Sequence, residues 1–239
     1  MVLAAGLGLR LRPVTDKLPK PLVEIGGMTM LDRSLAALER AGVETCVVNT
    51  HYLADLVVRH VAGRERPAIV LSPESELLDT GGGTFKALPE LGKEPFWIVN
   101  SDTFWLDGGT PALDRMAAQW DCGRMDALLL LHPVVAAIAY EGDGRGDYFL
   151  GSDGRCRRRT TAEVAPFLFA GVSLCSPRLF EGAPGGAFSL RLLWDRAQER
   201  ERLHGIRHDG EWFHVGTPQA LDLTRDWFST GRRLGRHME

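Results

Sequence analysis

The residues with the clearest chemistry lie in the first twenty-two positions. Met1-Val2-Leu3-Ala4-Ala5-Gly6-Leu7-Gly8 is an apolar run that ends in small residues and two glycines, and Arg10, Arg12, Lys17 and Lys20 follow it. Glycines let a backbone approach a ligand closely and turn its N–H groups inward. Arginine adds a planar fork of donors and lysine a mobile point charge. A short strand over Val2–Ala5 feeding such a loop can wrap a triphosphate. A dinucleotide-binding loop has a related form, G-x-G-x-x-G opening a helix. Here Leu11 stands where its third glycine would be and Pro13 follows soon after, which disfavours a nicotinamide-dependent oxidoreductase.

Three later segments carry groups suited to the same ligand. In Asp79-Thr80-Gly81-Gly82-Gly83-Thr84, three glycines precede a helix-like segment. Amides at such a helix start face outward and could pack against a base, although a plain glycine turn reads the same way. In Trp97-Ile98-Val99-Asn100-Ser101-Asp102, a buried strand ends in a carboxylate. Asp102 there would suit Mg²⁺, which takes one or two carboxylates plus phosphate oxygens; an isolated Asp at a strand end serves equally as a turn residue. In Trp212-Phe213-His214-Val215-Gly216-Thr217-Pro218, aromatics flank a histidine before the last helix, with Thr217 as N-cap and Pro218 at N1. The four arginines of Arg155–Arg159 read as a solvated turn, with a lid on a sugar phosphate as the sharper alternative. His51, His132 and His204 receive no catalytic role.

The elements that must position these groups alternate. Helical spacing marks Leu31–Ala41, with Leu31, Leu35 and Leu38 on one face, Thr29 and Asp32 as a capping box and Gly42 as the stop. Further helices are expected over Tyr52–Val61, Pro111–Trp120, Ser189–Leu203 and Pro218–Phe228. Strands are expected over Glu44–Asn49, Ala68–Leu71, Pro95–Asn100, Ala127–Leu131 and Phe167–Cys175, with more within Ile206–Val215. Gly142–Gly154, rich in glycine and aspartate, reads as loops. The alternation implies βαβ units and an α/β fold with a Rossmann-like, mostly parallel (mixed) sheet carrying helices on both faces. Ligands of such sheets sit at the carboxyl ends of strands, where the motifs fall. One domain is expected over residues 1–239, with a less regular C-terminal half.

Composition narrows the class. The chain has 239 residues, 44% hydrophobic and 25% charged, with a net charge of -3. A dedicated nucleic-acid binder would usually be basic, and no apolar run approaches the roughly 20 residues of a bilayer span. Cys46, Cys122, Cys156 and Cys175 form no C-x-x-C pair, which suits a reducing compartment. No signal peptide is visible, and a cytoplasmic location is expected. Only Val2 and Leu3 stand between Met1 and Ala4, so a natural start a few residues upstream is expected.

Taken together, A-A-G-x-G-x-R-x-x-P-x-T, P-K-P-L and the three later segments, in this order, resemble the sugar-1-phosphate nucleotidyltransferase family over Val2 to about Phe228. Within it, Ser72-Pro73-Glu74 with Asp79–Leu88, Gly144–Phe149 and Phe169–Ser173 are most similar to the uridylyltransferase branch acting on N-acetylmuramate 1-phosphate in cell-wall recycling. Small mannose-1-phosphate guanylyltransferases are the second choice. The resemblance implies an NTP, UTP by that likeness, and a sugar 1-phosphate as partners, with neither nucleic acid nor membrane, in a monomer or small homo-oligomer; it also implies a nucleotide-binding half over 1–135 and a sugar-binding half over 136–239. It implies Arg10 and Lys20 as catalytic residues and Ala4, Ala5, Gly6, Gly8, Gly81 and Gly82 as nucleotide contacts. It places Gly146, Asp147 and Gly171 at the sugar, and a Mg²⁺ ion (or Mn²⁺ or another divalent ion) at Asp102 and His214. The family usually has Asp where His214 stands. That departure keeps a non-catalytic, nucleotide-sugar-binding relative open as an alternative.

Overall fold

The computed structural model describes the backbone of residues 1–235 and side chains through residue 230. From the amino end come β1 (Val2–Leu3), β2 (Glu24–Ile25), β3 (Met28–Thr29), α1 (Met30–Arg40), β4 (Thr45–Thr50), α2 (Ala54–Val61), β5 (Ala68–Pro73), α3 (Asp79–Leu91) and β6 (Phe96–Asn100). Then follow β7 (Thr103–Leu106), α4 (Ala112–Gln119), β8 (Ala127–Pro133), β9 (Tyr148–Leu150), β10 (Cys156–Arg158) and β11 (Phe167–Cys175). The last elements are α5 (Leu190–Glu199), β12 (Leu203–Arg207), β13 (Glu211–His214) and α6 (Pro218–Gly235).

The central sheet runs β10-β9-β11-β6-β1-β4-β5, with β8 beside β11 and β12 beside β8. The β6-β1-β4-β5 part is parallel, β1 pairing with β4 and β6 and β4 with β5. The antiparallel character enters at β11, which opposes β6, β8 and β9. Side chains alternate between two cores, as a period of two requires. Val2, Val99, Leu128 and Leu130 face α1, α2 and α4, while Ile98, Leu129 and Leu131 face α5.

Local chemistry explains the boundaries. Thr29 Oγ1 accepts the Asp32 N–H at 3.0 Å and donates to the Asp32 carboxylate at 2.7 Å, closing the start of α1. Gly42, at φ +80°, follows its last residues. Thr217 Oγ1 accepts the Ala220 N–H at 3.2 Å ahead of Pro218 in α6.

Several sequence expectations need correction. Gly142–Gly154 is not all loop: it holds β9, whose Tyr148 is buried. Arg155–Arg159 is not a turn, because Cys156–Arg158 pairs antiparallel with Tyr148–Leu150. The helix from Ser189 stops at Glu199, and Leu203 opens a strand beside Ala127. The helix near Tyr52 begins at Ala54. β1 is confined to Val2–Leu3, because Ala4 already donates its N–H to Asn49 Oδ1 at 2.7 Å rather than to a strand.

Candidate active site at the carboxyl ends of the parallel strands

A cleft of about 560 Å³ opens where β1, β4 and β6 end, lined among others by Gly6, Gly8, Arg10, Lys20, Glu74 and Asp102. The chain after β1 is pinned on both sides. Ser101 Oγ donates to the Leu3 carbonyl at 2.6 Å, and Asn49 holds Ala4. Gly8 then adopts φ +63°, and a Cβ there would meet Thr15 Cγ2 at 2.9 Å. Thr15 Oγ1 donates to the Gly8 carbonyl at 2.8 Å, so the loop closes on itself. Gly6 differs: a Cβ there would meet no protein atom within 4 Å, so the space above it belongs to the cleft.

This loop delivers two cations. Lys20 is only 9% exposed, with Nζ 3.5 Å from Asp102 Oδ2. Burial lowers its pKa; Asp102 opposes that shift and Arg10 adds to it. Among the described residues no hydrogen bond or ion pair involves the Arg10 guanidinium, which is exposed at the cleft rim. A buried ammonium with one long carboxylate contact beside an unpaired guanidinium is a site for a polyanion.

β7 and β13 bring the two expected metal ligands together. Thr103 pairs with His214 across this small antiparallel pair, and Val215 N–H donates to the Asp102 carbonyl at 3.3 Å. Gly171, at φ +85°, sits under the same turn, where a Cβ would strike Thr103 Oγ1. The His214 ring stacks on Trp212 at 6.0 Å between centroids. Its Nδ1 is buried and has no hydrogen-bond partner among the described residues. Burial lowers the His214 pKa; Asp102 opposes this, and Lys20 and Arg10 reinforce it, so the imidazole is neutral at pH 7. A neutral imidazole with an orphaned nitrogen beside a carboxylate fits a divalent ion. The described residues contain no group of three or more His, Cys, Asp or Glu side chains able to hold one. The ion would therefore take its remaining ligands from phosphate and water.

The glycines of α3 serve a different purpose from the one expected. Gly81 and Gly82 lie inside the helix, and their N–H groups both donate to the Phe188 carbonyl, at 2.8 and 3.1 Å. A Cβ on Gly81 would come within 2.8 Å of that oxygen. These two amides are thus not offered to a base; Asp79 and Thr80 line the cleft instead, Asp79 at φ +58°. Gly146 and Asp147 lie farther out. Gly146 takes φ +64°, where a Cβ would strike the Ala165 carbonyl, and the Asp147 carboxylate accepts the Phe169 N–H at 3.0 Å.

Sequence reasoning missed the buried pair Asn49 and Glu74. Asn49 Nδ2 donates to Glu74 Oε1 at 2.7 Å, and Glu74 Oε2 accepts the Leu78 N–H at 3.1 Å. With the Ala4 contact, this chain ties the first loop to the segment before α3. The available signal was two polar residues at the carboxyl ends of neighbouring apolar strands.

Residues 1–138 match the family model described as nucleotidyl transferase. The chain is 44% identical to N-acetylmuramate alpha-1-phosphate uridylyltransferase of Caulobacter vibrioides, over 92% of each sequence. It is 27% identical to mannose-1-phosphate guanylyltransferase catalytic subunit beta of Danio rerio, over 92% of this chain and 61% of that one. In fold it is similar to the crystal structure of a putative glucose-1-phosphate thymidylyltransferase from Bacillus anthracis, with a TM-score of 0.77 and 16% identity over 95% and 93% of the two chains.

Proposed function

Since the chain belongs to the nucleotidyl transferase family, we propose that it transfers a uridylyl group from UTP to N-acetylmuramate 1-phosphate, giving the UDP-sugar and pyrophosphate in cytoplasmic cell-wall recycling. The observation that carries this reading is the pairing of buried Lys20 with partnerless Arg10 in a cleft ending three parallel strands. The choice of base and sugar is supported by the 44% identity to the Caulobacter enzyme.

The chemistry asks little of acid–base catalysis. A phosphate oxygen of the sugar phosphate attacks the α-phosphorus in line, that P–O bond forms, and the bond to the β-phosphate oxygen breaks. The nucleophile is already anionic. The barrier lies in joining two anions and stabilising spread negative charge, so positioning and electrostatics dominate. Lys20 would bridge the reacting phosphates, Arg10 would hold the transferred group, and Ala4, Ala5, Gly6 and Gly8 would line the nucleotide. A divalent ion held by Asp102 and His214 would neutralise phosphate charge. Gly171, packed against Thr103, would border the sugar with Gly146 and Asp147.

Pyrophosphate release tests the reading, with each NTP paired with N-acetylmuramate, N-acetylglucosamine, glucose and mannose 1-phosphates. The expected result is release with UTP and N-acetylmuramate 1-phosphate. Preference for GTP with mannose 1-phosphate would move the chain to the guanylyltransferase branch. Nucleotide binding without turnover, with several divalent ions, would leave a binding protein.

A further inference from the structure

A second cavity of about 670 Å³ lies between β9, β10 and α5, lined by Asp147, Tyr148, Arg158, Arg159, Arg191 and Glu199 among others. Two contacts link the elements around it to the cleft. Leu190 N–H, at the start of α5, donates to Thr80 Oγ1 at 3.0 Å, and Thr80 lines the cleft. Phe169, on the cavity wall, lies two residues before Gly171, which packs against Thr103 and Asn100.

Most charges around this cavity are already satisfied. Arg158 makes a two-bond fork with Asp195, at 2.7 and 2.6 Å. Arg159 donates to the Gly146 carbonyl at 2.6 Å and to Asp143 at 3.3 Å. The Asp147 carboxylate holds the Phe169 N–H. Three groups stand apart, one of them the Glu199 carboxylate at the far end of α5. No hydrogen bond or ion pair involves the Arg191 guanidinium among the described residues. Tyr148 is 2% exposed and its hydroxyl has no hydrogen-bond partner among the described residues. Burial, reinforced by Asp147 and Asp195, pushes that phenol up, so it remains a donor at neutral pH. Along α5, Arg191 and Glu199 are separated by about 12 Å. Arg191 thus lies at the end of α5 that meets Thr80, and Glu199 at the other end.

N-acetylmuramate differs from N-acetylglucosamine by a lactyl ether that carries a carboxylate. We propose that the Arg191 guanidinium binds this acidic substituent, with the Tyr148 hydroxyl as a second donor in the same subsite, an inference that rests on the substrate reading above. An unpaired guanidinium suits a carboxylate bidentately, and Arg191 directly follows Leu190, whose N–H binds the cleft-lining Thr80. The residue thereby sets sugar specificity and takes no part in the transfer itself.

The test compares wild type, Arg191→Gln, Arg191→Lys and Tyr148→Phe with UTP and either N-acetylmuramate or N-acetylglucosamine 1-phosphate. Arg191→Gln should lower kcat/KM for the muramate substrate about 10- to 100-fold, through KM. The same variant should change the glucosamine substrate less than about threefold, and Arg191→Lys should recover part of the loss. Arg191 is exposed, so folding should be unaffected; Tyr148→Phe removes a hydroxyl that bonds nothing in the chain. It should weaken muramate binding alone. Equal losses with both sugars, or none in Arg191→Gln while wild type still prefers the muramate substrate, would overturn the role of Arg191. A wild type that uses both sugars equally would overturn the substrate reading and this subsite together.

Discussion

In the cleft, Lys20 is buried against a carboxylate at 3.5 Å and Arg10 has no partner among the described residues. Across the sheet, Arg157, Arg158 and Arg159 form a denser run of positive charge, yet each is tied to Glu163, Asp195 or Asp143. Charge density alone therefore does not locate an anion site; a cation that lines a cavity without a counter-charge is the better guide. A cation without a counter-charge in the folded chain gains most when a phosphate or carboxylate arrives, because no internal ion pair has to be broken or shared. By that measure the first loop and Arg191 await ligand, whereas Arg157–Arg159 brace β10 against its neighbours.

The strongest way to break the comparison is to remove the unsatisfied cations. Lys20→Ala and Arg10→Ala should each lower kcat/KM by about 10² or more, since a preorganised donor to a transition-state oxygen is commonly worth about 3–4 kcal/mol. Steady-state kinetics of folded variants check this, and near-wild-type rates in both would remove this loop from the chemistry.

The metal side sharpens the contrast. His214→Asp restores a carboxylate opposite Asp102, and the variant should stay active while its preference shifts from Mn²⁺ towards Mg²⁺. Rates measured across both ions decide it; an unchanged preference would mean that His214 is not a ligand.

Stability should depend on pH through the same buried imidazoles. Burial lowers the pKa values of His132, His204, His208 and His214. Below the unfolded value of about 6.5 the unfolded chain takes up more protons than the folded chain. The histidine contribution is thus complete above about pH 6.5 and declines as pH falls towards the lowered folded values. Urea midpoints at pH 7.5 and 5.5 should show the loss at the lower pH.

Two smaller effects separate packing from binding. Gly81→Ala would push a methyl against Phe188, whose carbonyl lies 2.8 Å from the added carbon. Overpacking of this kind costs about 1–3 kcal/mol, so Tm should fall by several degrees. Arg157→Ala removes an exposed fork to Glu163 at 2.8 and 2.9 Å. It should leave both kcat/KM and the thermal transition close to wild type.

What the sequence disclosed follows the same division. The first loop was legible because glycine, arginine, lysine and proline each impose a distinct local constraint, and Gly8 folds back on Thr15 within seven residues. The Thr29–Asp32 cap and the helix after it were equally local. The setting of Gly81 and Gly82 inside α3 was hidden because their partner, Phe188, is more than a hundred residues away and no local pattern announces it. β9 was hidden by the glycines around it, since its strand character comes from pairing with β10 and β11. The Arg155–Arg159 run looked solvated because its counter-charges, such as Asp195, come from a distant helix. His214 was placed near Asp102 by resemblance; the pairing of Thr103 with His214 supplies the physical reason.

The central claim is that the partnerless cations of the cleft and of its neighbouring cavity together receive UTP and an acidic sugar phosphate. Mass spectrometry of the products from UTP, Mg²⁺ and an equimolar mixture of N-acetylmuramate, N-acetylglucosamine and mannose 1-phosphates tests it most directly. The account predicts UDP-N-acetylmuramate as the dominant product, with one pyrophosphate released for each. A mixture of UDP-sugars that ignores the carboxylate, or no nucleotide sugar at all, would contradict it.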